Sequence, residues 1–83
     1  MNKELKKHLF DFFSGKVTEI DLAIHKTFEQ SSEMMRNIVS HHFSGGSYKS
    51  AQCNFFVSEP TYYRYIRKFI ESLEKLIKFG CIM

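Results

Sequence analysis

The sequence predicts an all-α fold, a small five-helix bundle that contains a helix-turn-helix. Three observations lead there. Helix breakers are scarce, with one proline (Pro60) and four glycines in 83 residues. Leu, Lys, Glu, Ile and Phe are abundant, a composition that favours helices over turns. Apolar residues recur at three- and four-residue spacing, in stretches bounded by Ser, Thr or Gly.

The first helix is expected over residues 3–14, where Leu5, Leu9, Phe12 and Phe13 share a face and Gly15 offers a stop. A second is expected over 19–30. Thr18-Glu19-Ile20-Asp21 resembles a capping box with Asp in place of Glu, and Ile20, Ala23, Ile24, Thr27 and Phe28 line up behind it. Ser31 and Ser32 offer N-caps for a third helix over 33–43, with Met35, Ile38, Val39 and His42 or Phe43 inward. Ser44-Gly45-Gly46 ends that helix. A short helix over 48–54 follows. The last helix runs from 59 or 60 to about 79 and is closed by Gly80. Pro60 suits its first turn, where a missing N–H leaves no bond unmade. Its apolar stripe is Tyr62, Ile66, Phe69, Ile70, Leu73, Leu76 and Ile77. The opposite side carries Pro60, Tyr63, Arg64, Arg67, Lys68, Glu71, Lys75 and Lys78.

At this length residues 1–83 make a single domain with a thin core, and chains of this size often gain stability by pairing. The net charge of +3 is unevenly placed. Residues 1–43 hold six basic and six acidic side chains, whereas residues 44–83 hold six basic against three acidic. A basic half favours a polyanion such as nucleic acid, or an anionic membrane surface. No apolar run approaches the ~20 residues of a membrane span. The charged N-terminus lacks the apolar stretch of a secretory signal, so a cytoplasmic location is the expectation. Cys53 and Cys81 form no CxxC pair and read as reduced thiols.

Catalysis is not expected. His41-His42 with Cys53 suggests a metal or nucleophile site only weakly, because zinc ligands usually come as two close pairs. No His-x-x-x-His, Gly-rich phosphate loop or paired carboxylates occur. His8 and His25 are isolated. No metal or cofactor is expected.

The functional reading rests on residues 33–73. Eleven residues separate Ser47 from Ser58, a spacing that suits a helix-turn-helix formed by 48–54 and 59–72. In that motif the first helix crosses the DNA backbone and the second enters the major groove. Tyr63, Arg64 and Arg67 are then the candidates for base or groove contact, since Arg reads guanine bidentately and Tyr stacks or bonds to phosphate. Lys49, Thr61 and Lys68 are the candidates for phosphate. Glu59 opposes phosphate binding, but suits the helix dipole or a cytosine amino group.

Phe43-Ser44-Gly45-Gly46-Ser47-Tyr48-Lys49 through Tyr62-Tyr63-Arg64-Tyr65-Ile66-Arg67-Lys68-Phe69-Ile70 resembles the PapB-type adhesin-biosynthesis regulators. These are bacterial transcription regulators of fimbrial operons. The likeness includes the Gly-Gly pair, a Cys in the short-helix region (Cys53) and paired aromatics opening the last helix. It extends upstream over Val17-Thr18-Glu19-Ile20 and covers about residues 17–77. Residues 1–14 have no counterpart, and the turn Val57-Ser58-Glu59-Pro60-Thr61 is less amide-rich than the family's. The segment is also similar to region 4 of sigma factors, where Ser-Tyr-Lys opens the supporting helix and Ser-x-x-Thr the recognition helix. Both resemblances imply a tri-helical reader of double-stranded DNA. They differ on whether RNA polymerase is a direct partner.

The rival reading is a small protein-interaction regulator, such as an anti-activator or a polymerase-binding module, without DNA readout. Leu5, Leu9, Phe10, Phe12 and Phe13 either complete the monomer core or form a homodimer contact, through the first helix or the end of the last.

Overall fold

A helix with one continuous apolar side must be covered along that side, and the cover here is the rest of the chain. The computed structural model describes residues 3–78, apart from the side chains at positions 53 and 54. Its elements are α1 (Lys3–Phe13), α2 (Asp21–Gln30), α3 (Glu33–Phe43), α4 (Tyr48–Phe55) and α5 (Glu59–Lys78), with no strand among the described residues. At about 1.5 Å per residue α5 spans roughly 30 Å, most of the 38 Å long axis of the molecule.

Tyr62, Ile66, Phe69, Ile70 and Leu73 of α5 are buried. Against them lie Leu5 and Leu9 of α1, Ala23 and Ile24 of α2, Ile38, Val39 and Phe43 of α3, and Ala51 of α4. Helices α2 and α3 make the main contacts with α5, α1 adds to them, and α4 packs on α3. The stripe expected on α5 is therefore the core, with one correction. Ile77 is exposed at the edge of the stripe, beside Leu5 of α1, and Leu76 is only half-buried. The expected stop at Gly80 lies outside the described residues.

The apolar surplus of α1 is used within the chain. Leu5 and Leu9 are buried, Phe12 and Phe13 pack against the core, and Phe10 remains partly exposed with its ring edge-on to Phe43 at 4.9 Å. That observation favours completion of the monomer core over a dimer contact through these residues.

Two helix ends close by the same device. The N–H of Lys16 donates to the Asp11 carbonyl at 2.9 Å and that of Gly15 to Phe12 at 3.2 Å, with Gly15 at φ +95. In α3, Gly46 donates to His41 at 2.9 Å and Gly45 to His42 at 3.3 Å, with Gly45 at φ +99. These crossed bonds satisfy carbonyls that a helix end leaves over, and they need a left-handed residue that glycine supplies without a Cβ clash.

The start of α2 differs from the expected capping box. The helix begins at Asp21 rather than residue 19. The Asp21 carboxylate accepts from the Thr18 N–H at 3.0 Å and from its hydroxyl at 2.6 Å. The Thr18 oxygen accepts from Ile20 N–H at 3.3 Å, not from residue 21. Residues 18–21 thus close on themselves as a turn, and the helix starts after it. For α3 the choice between the two serines resolves cleanly. Ser32 caps the new helix by accepting from Met35 N–H, while the Ser31 hydroxyl closes α2 by donating to the Thr27 carbonyl at 2.8 Å.

Gly46 is fixed by space rather than by its backbone angle. A Cβ there would run into the His41 ring and lie 2.6 Å from the His41 carbonyl oxygen. We expect Gly46→Ala to cost about 2 kcal/mol, typical of forced overpacking. Gly45→Ala, strained only by its φ, should cost about 1 kcal/mol. Urea denaturation of the two variants checks the order; a Gly46→Ala protein as stable as wild type would show that the junction has slack.

Candidate nucleic-acid interface

The site is built where α3, α4 and α5 meet. Ser47 caps α4 by accepting from the Ser50 N–H, and the Ser50 hydroxyl accepts in return from the Ser47 N–H at 3.1 Å. His41, in the last turn of α3, closes this cap from the side. Its Nε2 lies 3.1 Å from the Ser47 carbonyl oxygen and 2.9 Å from the Ser50 hydroxyl. A carbonyl can only accept, so Nε2 carries the proton in that contact. The His41 ring also meets Phe55 edge-on at 5.6 Å, so both ends of α4 are tied to one residue of α3.

His42 performs the matching task for α5. Its Nδ1 lies 3.0 Å from the hydroxyl of Tyr62, whose side chain is fully buried. Its ring contacts Tyr62 at 5.7 Å, Tyr63 at 6.3 Å and Phe10 at 6.1 Å between centroids. Burial lowers the His42 pKa below its ordinary 6.5, and the positive charges of Lys6 and His41 lower it further. Burial likewise raises the Tyr62 phenol above its ordinary 10, with the adjoining Tyr63 phenol adding to the effect. The two adjacent histidines therefore divide between two helices, and no group of three or more His, Cys, Asp or Glu side chains converges on a metal position among the described residues.

Three residues, 56–58, join α4 to α5. Phe56 caps α4 in the left-handed conformation at φ 53, ψ 43, and is 90% exposed. Ser58 then opens α5. Its hydroxyl accepts from the Thr61 N–H at 3.4 Å and donates to the Thr61 hydroxyl oxygen at 2.9 Å. Glu59 sits in the first turn, where a carboxylate complements the helix dipole.

The six residues singled out from the sequence fall as follows. Arg64, Arg67 and Lys68 are exposed on the outer side of α5, and Lys49 is exposed in the first turn of α4. Among the described residues none of the four is paired with a carboxylate. Tyr63 is 44% exposed, with its ring edge-on to Tyr62 at 5.1 Å. Thr61 is half-buried and its hydroxyl belongs to the Ser58 cap, leaving its own proton as the group that can reach an outside acceptor. The structure thus places four cations and one held tyrosine on α4 and the first half of α5. Farther along α5, Glu71 and Glu74 flank Arg67.

Sequence reading missed the roles of His41, His42 and Phe56. Apolar periodicity does not signal a polar side chain that bridges helices. The nearest signal was the Gly45-Gly46 pair, one glycine for its φ and the other for the room His41 needs.

No helix among the described residues is long and apolar enough to cross a membrane. No protein family, no characterised protein and no solved structure matches this chain.

Phe56→Gly removes a left-handed Cβ penalty of roughly 1 kcal/mol while giving up little buried surface. It should raise stability by about 0.5–1 kcal/mol in urea denaturation; a loss of that size would show that the ring contributes packing. For His42, the unfolded chain binds its proton near pH 6.5 and the folded chain only at lower pH. Stability should be full above about pH 7 and fall as pH drops through 6.5 toward the lowered folded value. Denaturation midpoints at pH 7.5, 6.5 and 5.5 should show this fall in wild type and a shallower one in His42→Gln.

Proposed function

We propose that this chain is a DNA-binding transcription regulator that uses α4 as the supporting helix and α5 as the recognition helix of a helix-turn-helix. The observation that carries the reading is the outward cluster of Arg64, Arg67 and Lys68, free of carboxylate partners among the described residues, with Tyr63 held beside it. A long helix presenting two arginines near its N-terminal half suits the major groove, where Arg binds guanine O6 and N7 together. Lys49 on α4 and Lys68 on α5 take backbone phosphates, and the Thr61 hydroxyl donates to one. The sequence resemblance to PapB-type regulators supports a bacterial fimbrial or adhesin operon as the target. A homodimer reading two half-sites fits the small core and the symmetry of most operators.

A second reading has one observation in its favour. The solvent-exposed, left-handed Phe56 is an apolar tip between the two helices, of the kind a protein partner such as RNA polymerase would cover. On that reading the chain binds protein and reads no DNA.

Selection of bound duplexes from a random pool separates the two, since a recovered motif fixes DNA readout and its symmetry reports the assembly. Affinity for the selected duplex should fall with salt, with a log–log slope of about −2 for one chain, in which Lys49 and Lys68 neutralise two phosphates, and about −4 for a homodimer. We expect Arg64→Ala combined with Arg67→Ala to abolish binding in a gel shift, while the thermal midpoint stays within a few degrees, because exposed substitutions change stability little. Unfolding of that double variant would assign the arginines to structure instead.

A further inference from the structure

A half-buried histidine in an aromatic cluster is an uncommon way to anchor a helix, and His42 does it at the point where α5 begins. Its Nδ1 is 3.0 Å from the Tyr62 hydroxyl, and its ring meets those of Tyr62 and Tyr63. Phe10 of α1 and Phe43 of α3 close around it, the latter edge-on at 5.0 Å. Tyr48 of α4 meets Tyr62 at 5.6 Å. Every element that frames the start of α5 therefore touches His42 or the tyrosine bonded to it.

We infer that His42 is the positioning residue for the outward set on α5, holding Tyr62 by a hydrogen bond and Tyr63 by ring contact, so that proton uptake by its imidazole weakens binding to duplex DNA. The inference rests on the DNA-binding reading above. The charged groups facing the imidazole are Lys6 from α1 and His41 from α3, and the titratable groups facing it from α5 are the phenols of Tyr62 and Tyr63. Two neighbours that can carry positive charge, and a half-buried setting that removes part of its water, oppose an imidazolium there. Protonation also changes the hydrogen bond. A neutral Nδ1 can accept from the Tyr62 hydroxyl, but a protonated one can only donate. The charged form is relieved if α1 and the first turn of α5 move apart. That movement shifts the N-terminal half of α5, which carries Tyr63, Arg64 and Arg67 together, relative to Lys49 on α4, and a site that is assembled only part of the time binds in proportion to that fraction.

The direction of the effect sets this device apart from ordinary electrostatics. Acidification adds positive charge to the chain, and charge alone would tighten binding to DNA as pH falls. Positioning by neutral His42 predicts the reverse.

The test is the affinity of the full chain for a fluorescein-labelled selected duplex, by anisotropy at pH 7.5 and 5.5 and constant ionic strength. Wild type should lose roughly fivefold, the low end of couplings between linked sites. His42→Gln, and the double variant His42→Phe with Tyr62→Phe, which removes both polar partners together, should bind equally well at the two pH values or tighter at pH 5.5. Thermal midpoints taken at each pH establish which variants are folded, and either folded variant suffices. Wild-type binding that tightens at pH 5.5, or folded variants that keep the wild-type loss, would overturn the inference while leaving DNA binding intact. Failure of wild type to bind duplex at either pH would instead remove the DNA-binding reading, and this inference with it.

Discussion

The structure depends on the burial of one side of α5. Five of its residues, from Tyr62 to Leu73, are in the core, and the four wholly apolar ones, Ile66, Phe69, Ile70 and Leu73, are each worth roughly 1.5–3 kcal/mol when taken from water. Burial of that set fixes the rotation of the helix about its own axis. A turn of one residue about that axis would bring Arg67 or Lys68 inward, at a cost no small core could meet. The outward position of Arg64, Arg67 and Lys68 is therefore a consequence of what Ile66, Phe69 and Ile70 do on the other side. The charged residues and the core residues occupy opposite faces of one helix, so the outer face can change chemistry without disturbing the core.

Rotation alone does not set where α5 begins or how α4 crosses beside it. The polar junction does. His41 grips the cap of α4 while the next residue, His42, grips Tyr62 of α5. Successive helical residues point about 100° apart, so a pair at the end of α3 can reach two helices lying in different directions. The Schellman closure at Gly45 and Gly46 turns the chain back immediately after this pair. The room that Gly46 leaves is room for the His41 ring. The junction gives direction to an assembly that apolar packing would leave free to slide, and the Tyr62 hydroxyl would be a costly orphan without it.

Most of the fold was legible in the sequence, because it follows from periodicity and punctuation. The stripe of α5 and the faces of α2 and α3 are patterns along one helix, and the glycine stops at Gly15 and Gly45 act within a few residues. What escaped was of two kinds. Local side-chain competition moved the start of α2, where the Asp21 carboxylate bonded Thr18 and made a turn of residues expected to be helical. Long-range partnership gave His41, His42 and Tyr62 their roles, and no spacing rule reports that positions 42 and 62 touch. Phe56 belongs with neither. Sequence preference puts glycine or asparagine in a left-handed cap, and this chain keeps an aromatic ring there, almost wholly in solvent. The candidate interface was readable as a set of cations on one helix face, but not as a surface whose tyrosine is held in place from behind.

The distribution of acid along α5 narrows how an anionic partner can lie against it. The outer face is basic at Arg64, Arg67 and Lys68, acidic at Glu71 and Glu74, and basic again at Lys75 and Lys78. A membrane or a polyanion laid along the whole helix would meet the two carboxylates in the middle, and like charges in contact are costly. An anion that approaches only the first half meets them at its edge, beside Arg67, rather than along its length. On the proposed reading this excludes a helix lying flat against a charged surface and favours one entering a groove by its N-terminal end. Glu59 then sits at the most inserted point. A carboxylate there does not bind phosphate; on the proposed reading it complements the helix dipole or accepts from a cytosine amino group. The same charge pattern that limits general attraction to nucleic acid would thus add selectivity at the tip of the helix.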